Sequence, residues 1–439
     1  MDAQPCGEAV TERVAGFERP RTFLFLQGPS SWLFMRIAHH LEQRGHRCLR
    51  VNCCAGDWLY WRRRGAFNYR GKLADWNGWL RDLISREGVT DIVLLGEERP
   101  HHQRAINITR SLGLDAYAIE MGYLRPDWIR IERGGSGFNS HLPVDPDQIR
   151  KAAEALPEPV YHQIYTQSFF WDAVMDIAFN MANVIVRFPY PHYRWHAIYH
   201  PVAEYAGWIR RLLSSRKRTR LALETERRVL ASGRPYFVMP LQLETDYQIR
   251  AYSAYNTQRE AIEDIVASMA AHAPADTDLV VKLHPLDNGL VDWKKEVAMA
   301  ARRHGMQGRV HFMDGGNLVR LVVRAKGVVT INSTAGLQAV QKGTPVKVLG
   351  VAIYDIDGLT HQGPLDDFWR DPPKPDADLS AAFHRLLEAA VHVRGNFDSL
   401  QGMEAGARAI AQRLDERTVN EPGAFVRKPP RSKPVKRSH

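Results

Sequence analysis

The chain has 439 residues, too many for one ordinary core, so two domains are expected. Its composition is that of a globular protein, and no apolar run approaches the roughly 18 residues that a membrane span needs. The net charge of +10 gathers in "RRLLSSRKRTR" (210–220) and in "VRKPPRSKPVKRSH" (426–439); such blocks meet nucleic acid, anionic lipid or anionic sugars, and no helix-turn-helix, zinc-finger or RNP-like pattern supports nucleic acid.

The opening "MDAQPCGEAVTERVAG" has no basic region followed by an apolar stretch, so no secretion signal is expected. Cys6, Cys48, Cys53 and Cys54 show neither zinc spacing nor disulfide density, which points to a reducing compartment. "TFLFLQ" (22–27), "RCLRVN" (47–52), "TDIVLLG" (90–96) and "DAYAIE" (115–120) read as strands, with helices over 32–43 and 102–112 between them. A long helical region, 157–230, is punctuated by "RFPYPHYR". Strand signals resume at 235–242, 278–285, 309–313, 327–332 and 345–350. The helical stretches among them are 259–271, 291–304, 317–325 and 337–341, and helices over 379–391 and 401–414 follow. Strands alternating with helices imply parallel sheets with right-handed crossovers. The expected fold is α/β, with two doubly wound Rossmann-like domains facing a cleft. The expected division is an extension at 1–20, a first domain at 21–230 with a helical insertion, a second at 233–415 with closing helices, and a basic, disordered tail at 416–439.

Ligands of open α/β sheets sit beyond the carboxyl ends of the strands. Gln27 and Gly28 follow the first strand. The motif is not GxGxxG, so a tight turn competes with a binding role. "GEERPHHQRA" (96–105) follows the third and offers Arg99 and His102 to an anionic group; adjacent histidines do not face one metal ion naturally, so no metal is expected. Glu120 ends the fourth strand, where a carboxylate can act as base or nucleophile, or pair with Arg125. The Arg125 fork suits a carboxylate or phosphate. In the second half, His284 is placed at a strand end and Pro285 fixes the turn. "NSTAG" puts Asn332, Ser333, Thr334 and Gly336 at a helix start. There, hydroxyls and unpaired N–H groups form either a cap or a site for one phosphate. No Walker motif is present.

The plan matches GT-B glycosyltransferases and the related nucleotide-sugar epimerases. Five segments taken together, "EMGYLRPDWIRIE", "PLQLETDYQI", "KLHPLDNG", "INSTAGLQAVQKGTPVKVLG" and "AIYDIDGLTHQGPLDDFW", resemble the KpsS-type capsule polysaccharide proteins of Gram-negative bacteria. The likeness runs in order from Thr22 to Trp369. It implies a GT-B-like β-Kdo glycosyltransferase that uses CMP-Kdo as donor, needs no cofactor, and acts with retention on a phosphatidylglycerol-type lipid to start the capsule linker. Chain-extending relatives carry an acid in an "EDGFLRS"-like segment where this chain has Met121, which shifts the catalytic expectation to Glu120.

The residues fit that donor. His284, Pro285, Asn332, Ser333, Thr334 and Gly336 form the expected nucleotide-phosphate set. Gln27, Gly28, Arg99, His102, Arg125 and Gln242 form the expected sugar or acceptor set. The basic blocks suit an anionic inner-membrane surface, with the protein peripheral on its cytoplasmic side and other capsule assembly and export proteins as partners. The competing class is a non-catalytic export component that binds polysaccharide or lipid. An epimerase would need a diphosphate site instead.

Overall fold

A computed structural model describes residues 20–436 apart from 167, 187, 195–197 and 245. Residues 1–19 of the expected N-terminal extension, Cys6 among them, lie outside the described residues.

Two sheets organise the chain. The first is built from β1 (Thr22–Phe25), β2 (Arg47–Asn52), β3 (Ala66–Asn68), β4 (Asp91–Leu95), β5 (Asp115–Met121), β6 (Trp128–Arg133) and, from far along the chain, β12 (His392–Arg394). Its order is β12-β6-β5-β4-β1-β2-β3. The pairs from β3 across to β5 are parallel, and β6 is antiparallel to both of its neighbours. The second sheet holds β7 (Tyr236–Pro240), β8 (Asp278–Lys282), β9 (Val310–Met313), β10 (Gly327–Thr330) and β11 (Val346–Val348) in the order β11-β10-β7-β8-β9, all parallel. Strands β7 and β8 are buried along their whole length, as a sheet covered on both faces requires. Val280 joins the apolar cluster on one side of the sheet, while Leu279 and Val281 join the other. In each sheet the order reverses beside the first strand. The switch points therefore fall between β1 and β4 and between β7 and β10.

Three expectations need correction. The first concerns 128–133, for which no strand is expected from the sequence and which forms β6. Ile129 and Ile131 enter the core, but Arg130 and Glu132 are buried too, ion-paired at 3.0 Å, so charge hides a strand that water never reaches. The second concerns 392–415, expected in the second domain. Strand β12 extends the first sheet, and helix Leu400–Asp415 packs Met403, Ala407, Ile410 and Leu414 into the cluster that holds Phe23, Leu33 and Ile37. Its apolar stripe fits the face that helix Leu33–Gln43 leaves open.

The third concerns the tail, which is placed in regular contact through 426–436 rather than disordered. The Val426 N–H donates to the His141 carbonyl at 2.9 Å. The Arg431 guanidinium donates to the Leu142 carbonyl of the first domain at 2.9 Å and the Ile353 carbonyl of the second at 2.6 Å. Carbonyls otherwise short of donors at the seam give this Pro-rich segment its footing.

Candidate functional site

The two switch points face each other. Tyr252, which ends the short helix Tyr247–Ala251 after β7, crosses to the first domain and sets its hydroxyl between Glu97 and Glu98, 3.1 Å from Glu98 Oε1. Its ring packs edge-on to Phe138. Glu97 is buried, accepts the Ser136 N–H at 2.8 Å, and has its pKa pushed up to about 7 by that burial.

On the first-domain side, Glu120 sits at the end of β5 and is half-buried. The antiparallel register puts Glu120 directly opposite Arg130, and the two form an ion pair. Arg130 is buried and also holds Glu132 and the Tyr123 hydroxyl. The expected Glu120–Arg125 pair is therefore replaced by Glu120–Arg130. Gly96 lies between two carboxylates: a Cβ there would come within 2.6 Å of Glu120 Oε1 and 2.8 Å of Glu98 Oε2. Glu98 and Glu120 are thus neighbours at the strand ends, with exposed Met121 beside them.

Arg125 lies on the turn from β5 to β6. It is open to solvent yet surrounded by groups of both domains, and burial lowers its pKa while Asp398 opposes that shift. A cavity of about 260 Å³ separates this turn from the second domain, lined by Tyr123 and Arg125 on one wall and by Leu337 and Gln338 on the other.

On the second-domain side, His284 follows β8, and its Nδ1 accepts the Leu286 N–H at 3.1 Å. That contact leaves the ring proton on Nε2. The His284 pKa is lowered to about 4, first by burial and then by the Lys282 and Arg125 charges, so the ring is a neutral donor. Pro285 is exposed in the turn. Ser333 caps helix Thr334–Gln341, its Oγ accepting the Ala335 N–H at 3.2 Å. Among the described residues, the Thr334 N–H and hydroxyl have no partner, so this first turn keeps donors for an anion.

Several expected ligand groups are already committed. Gln242 and Asn332 are buried and bonded to each other across the switch point, at 2.8 and 3.3 Å, so they build the loop instead of presenting free amides. The Gly336 N–H donates to the Ser333 carbonyl, and the Tyr354 hydroxyl occupies the space a Cβ would need; this glycine serves packing. In the first domain, Gln27 is buried with Nε2 3.2 Å from Cys54 Sγ, and Gly28 leaves room for Phe34. Arg99 donates to the Leu95 carbonyl. His102 is buried with Nδ1 against the Gly96 carbonyl at 2.9 Å, and burial holds its pKa well below the usual value. The helix that begins at Pro100 sets both side chains against carbonyls of the strand end. Among the described residues, no three His, Cys, Asp or Glu side chains converge as a metal site would require.

Residues 90–398 match the family model described as "Capsule polysaccharide biosynthesis protein". The chain belongs to that family. The chain is 33% identical over 392 residues to "Capsule polysaccharide export protein KpsS" of Escherichia coli, covering 87% of this chain and 97% of the relative. It is 29% identical to "Capsule polysaccharide modification protein LipB" of Neisseria meningitidis serogroup B, covering 87% and 93%. A solved structure titled "Thermosulfurimonas dismutans KpsC, beta Kdo 2,7 transferase" aligns over 90% of this chain and 99% of its own, at 14% identity and a TM-score of 0.44.

The chain also brings to the cleft groups that its sequence does not single out. Glu98 stood in the quoted "GEERPHHQRA" and follows β4 at the switch point, so its position was a usable signal. Arg130 and Tyr252 carry no such signal, because only the β5–β6 register and the docking of the domains bring them to the site. Lys282 is buried at the end of β8, its pKa lowered by that burial.

Proposed function

We propose that this capsule synthesis protein is a glycosyltransferase that moves β-Kdo from CMP-Kdo to a phosphatidylglycerol-type lipid with retention. The observation that carries the reading is the opposition of two half-sites. Neighbouring carboxylates, Glu98 and Glu120, lie on one side; the Thr334 donors and the neutral His284 ring lie on the other. A CMP-sugar carries one phosphate and one sugar carboxylate. The phosphate suits Thr334 and His284 Nε2–H. The sugar carboxylate suits Arg125.

Retention follows from two displacements. In the first, a Glu120 oxygen attacks the anomeric carbon, the bond to the phosphate oxygen breaks, and CMP leaves with that electron pair. In the second, the lipid hydroxyl attacks the same carbon, the bond to Glu120 breaks, and Glu98 takes the hydroxyl proton. Arg130, ion-paired to Glu120 across the strands, orients it for the first step. Within the 210–220 block, Arg211 and Arg218 are held by Asp314, and exposed Arg216 and Lys217 suit an anionic leaflet, with the protein peripheral on the cytoplasmic side of the inner membrane and in reach of other capsule assembly proteins.

The test is purified full chain with CMP-Kdo and a fluorescent phosphatidylglycerol, read by mass spectrometry. The expected product is the lipid with Kdo added. A second reading, a non-catalytic export component, draws support from the name of the Escherichia coli relative, a capsule polysaccharide export protein. It prevails if no Kdo-bearing lipid forms while CMP-Kdo is intact and the protein is folded.

A further inference from the structure

Helix Pro201–Leu213 has its amphipathic faces reversed. The face docked on the second domain is polar: buried Arg211 makes two hydrogen bonds to Asp314, at 2.9 and 3.1 Å, and Glu204 accepts from Asn288 Nδ2 at 3.2 Å. Gly207 sits so close to the Asn288 carbonyl that a Cβ has no room. The face toward water is apolar. Val202, Ile209, Leu212 and Leu213 form one stripe at helical spacing, and Leu213 is 84% exposed.

The neighbouring helix Phe169–Ile185 repeats the pattern. Its inner side is fixed to helix Ala55–Trp61, with the Tyr60 hydroxyl donating to the Met175 carbonyl at 2.7 Å and the Gly56 N–H to Asn183 Oδ1 at 2.8 Å. Phe170, Trp171, Val174 and Ile177 face outward. Asn180 donates to the Tyr205 hydroxyl at 3.2 Å, which ties the two helices together. Phe188, in the connection, is 96% exposed. Among the described residues, most of the exposed large apolar side chains fall within 160–223, which is far denser than ordinary surface scatter.

Charge decides what covers this surface. Arg216 and Lys217 open the following helix, Ser215–Ala231, are exposed, and have no acidic partner among the described residues. A second copy docked by a two-fold axis would bring the same cations together. An anionic bilayer meets both demands at once, apolar below and phosphate at the rim. No helix of the described residues is long and apolar enough to cross a membrane, so the helices lie in the interface plane. Asp172, on the first of them, lies beside Asp398, whose carboxyl also feels the Arg125 charge, so this surface borders the cleft.

We propose that helices Phe169–Ile185 and Pro201–Leu213 form an interfacial anchor. Their outward apolar side chains enter the headgroup boundary, and Arg216 and Lys217 meet lipid phosphates. The proposal deepens the membrane part of the function above and rests on that reading only for the acceptor that the anchored cleft would meet.

The test is flotation of full-length protein with vesicles of phosphatidylcholine alone and of phosphatidylcholine mixed with phosphatidylglycerol. The wild type is expected to float with the mixed vesicles. Leu212→Ser with Leu213→Ser is expected to weaken partitioning by about tenfold or more. Arg216→Glu with Lys217→Glu is expected to abolish the preference for phosphatidylglycerol. All four positions are exposed, and melting curves check that the variants fold. Wild-type binding in both variants overturns the anchor, as does no vesicle binding by the wild type. So does a dimer in sedimentation equilibrium that the leucine variant dissolves, which would make a second copy the occupant. Transfer to a short-chain, water-soluble phosphatidylglycerol separates the two readings. Wild type that binds vesicles but transfers nothing loses the glycosyltransferase reading and keeps the anchor. Wild type that transfers but never binds vesicles does the reverse.

Discussion

Tyr252 of the second domain stands 3.1 Å from Glu98 of the first and also touches Glu97, so one hydroxyl joins the two domains at their switch points. Tyr252→Phe keeps the ring against Phe138 and removes only the hydroxyl. Glu97 is then buried with one donor fewer. The expected loss is about 1–3 kcal/mol of unfolding free energy, read by urea titration. An unchanged midpoint would show that this contact does not hold the domains together.

Glu97 also carries a pH signature. Its folded pKa, about 7, lies above the ordinary carboxyl value of 4.5. Between those values the folded state binds more protons than the unfolded state, so this group's contribution to stability falls as pH rises. The decline amounts to no more than about 3 kcal/mol. His101, His284 and His392 act in the other direction, because burial lowers them to about 4, 4 and 3 and stability is lost as pH falls below 6.5. The difference between wild type and Glu97→Gln isolates the carboxyl. That difference should change steadily from pH 4.5 to 7 and then flatten; a flat difference throughout rejects a raised Glu97 pKa.

Glu120 and Glu98 compete for the nucleophile's role, and geometry alone favours Glu120 through its clamp on Arg130. Glu120→Gln should lower kcat by about a thousandfold or more while CMP affinity changes little. Glu98→Gln should lower kcat less and shift the pH profile, as loss of a base does. Rapid-quench assays with CMP-Kdo separate the two. If Glu98→Gln is the dead variant and Glu120→Gln turns over, the assignment is reversed.

How much of this was legible beforehand depends on what each residue pairs with. Buried parallel strands announce themselves, so β1, β2, β4, β5 and the second sheet followed from apolar runs bounded by turns. Glu120 and His284 were legible as strand-end residues. Arg130 was not, because a buried charge inside "WIRIER" contradicts the apolar pattern of a strand until its partners Glu120 and Glu132 are in place. Arg99 and His102 show the converse situation. Their chemistry suits a ligand, but the helix starting at Pro100 turns both back to main-chain carbonyls. The basic tail misled for a related reason: its composition is that of a disordered segment, and only the carbonyls at the domain seam give Arg431 a fixed place.

His284 should bind phosphate as a neutral donor. His284→Ala is expected to weaken CMP by about tenfold to a hundredfold, the loss of one hydrogen bond to a charged group. The CMP phosphate itself titrates at about pH 6, so calorimetric CMP affinity changes there in any case; because the ring's pKa is held to about 4, that change should have the same size in wild type and in His284→Ala. A wild-type change that shrinks in His284→Ala would mean that the imidazolium binds the phosphate.

Arg431 offers the sharpest test of the domain seam. Its guanidinium is shared between the Leu142 and Ile353 carbonyls, one from each domain, and Glu132 and Asp355 supply the nearby negative charge. Arg431→Met keeps much of the side chain's bulk and removes every donor, leaving carbonyls unpaired and the buried acids less compensated. A cost of about 2–4 kcal/mol is expected. The cost should appear first as weaker docking, because each domain also has apolar clusters of its own beside the one that joins Leu142 to Ile353 across the seam. Calorimetry of wild type should show the domains melting together, while Arg431→Met should separate them into two transitions and raise the radius of gyration in solution scattering. A variant with one transition at the wild-type temperature would show that the tail rests on the seam without holding it.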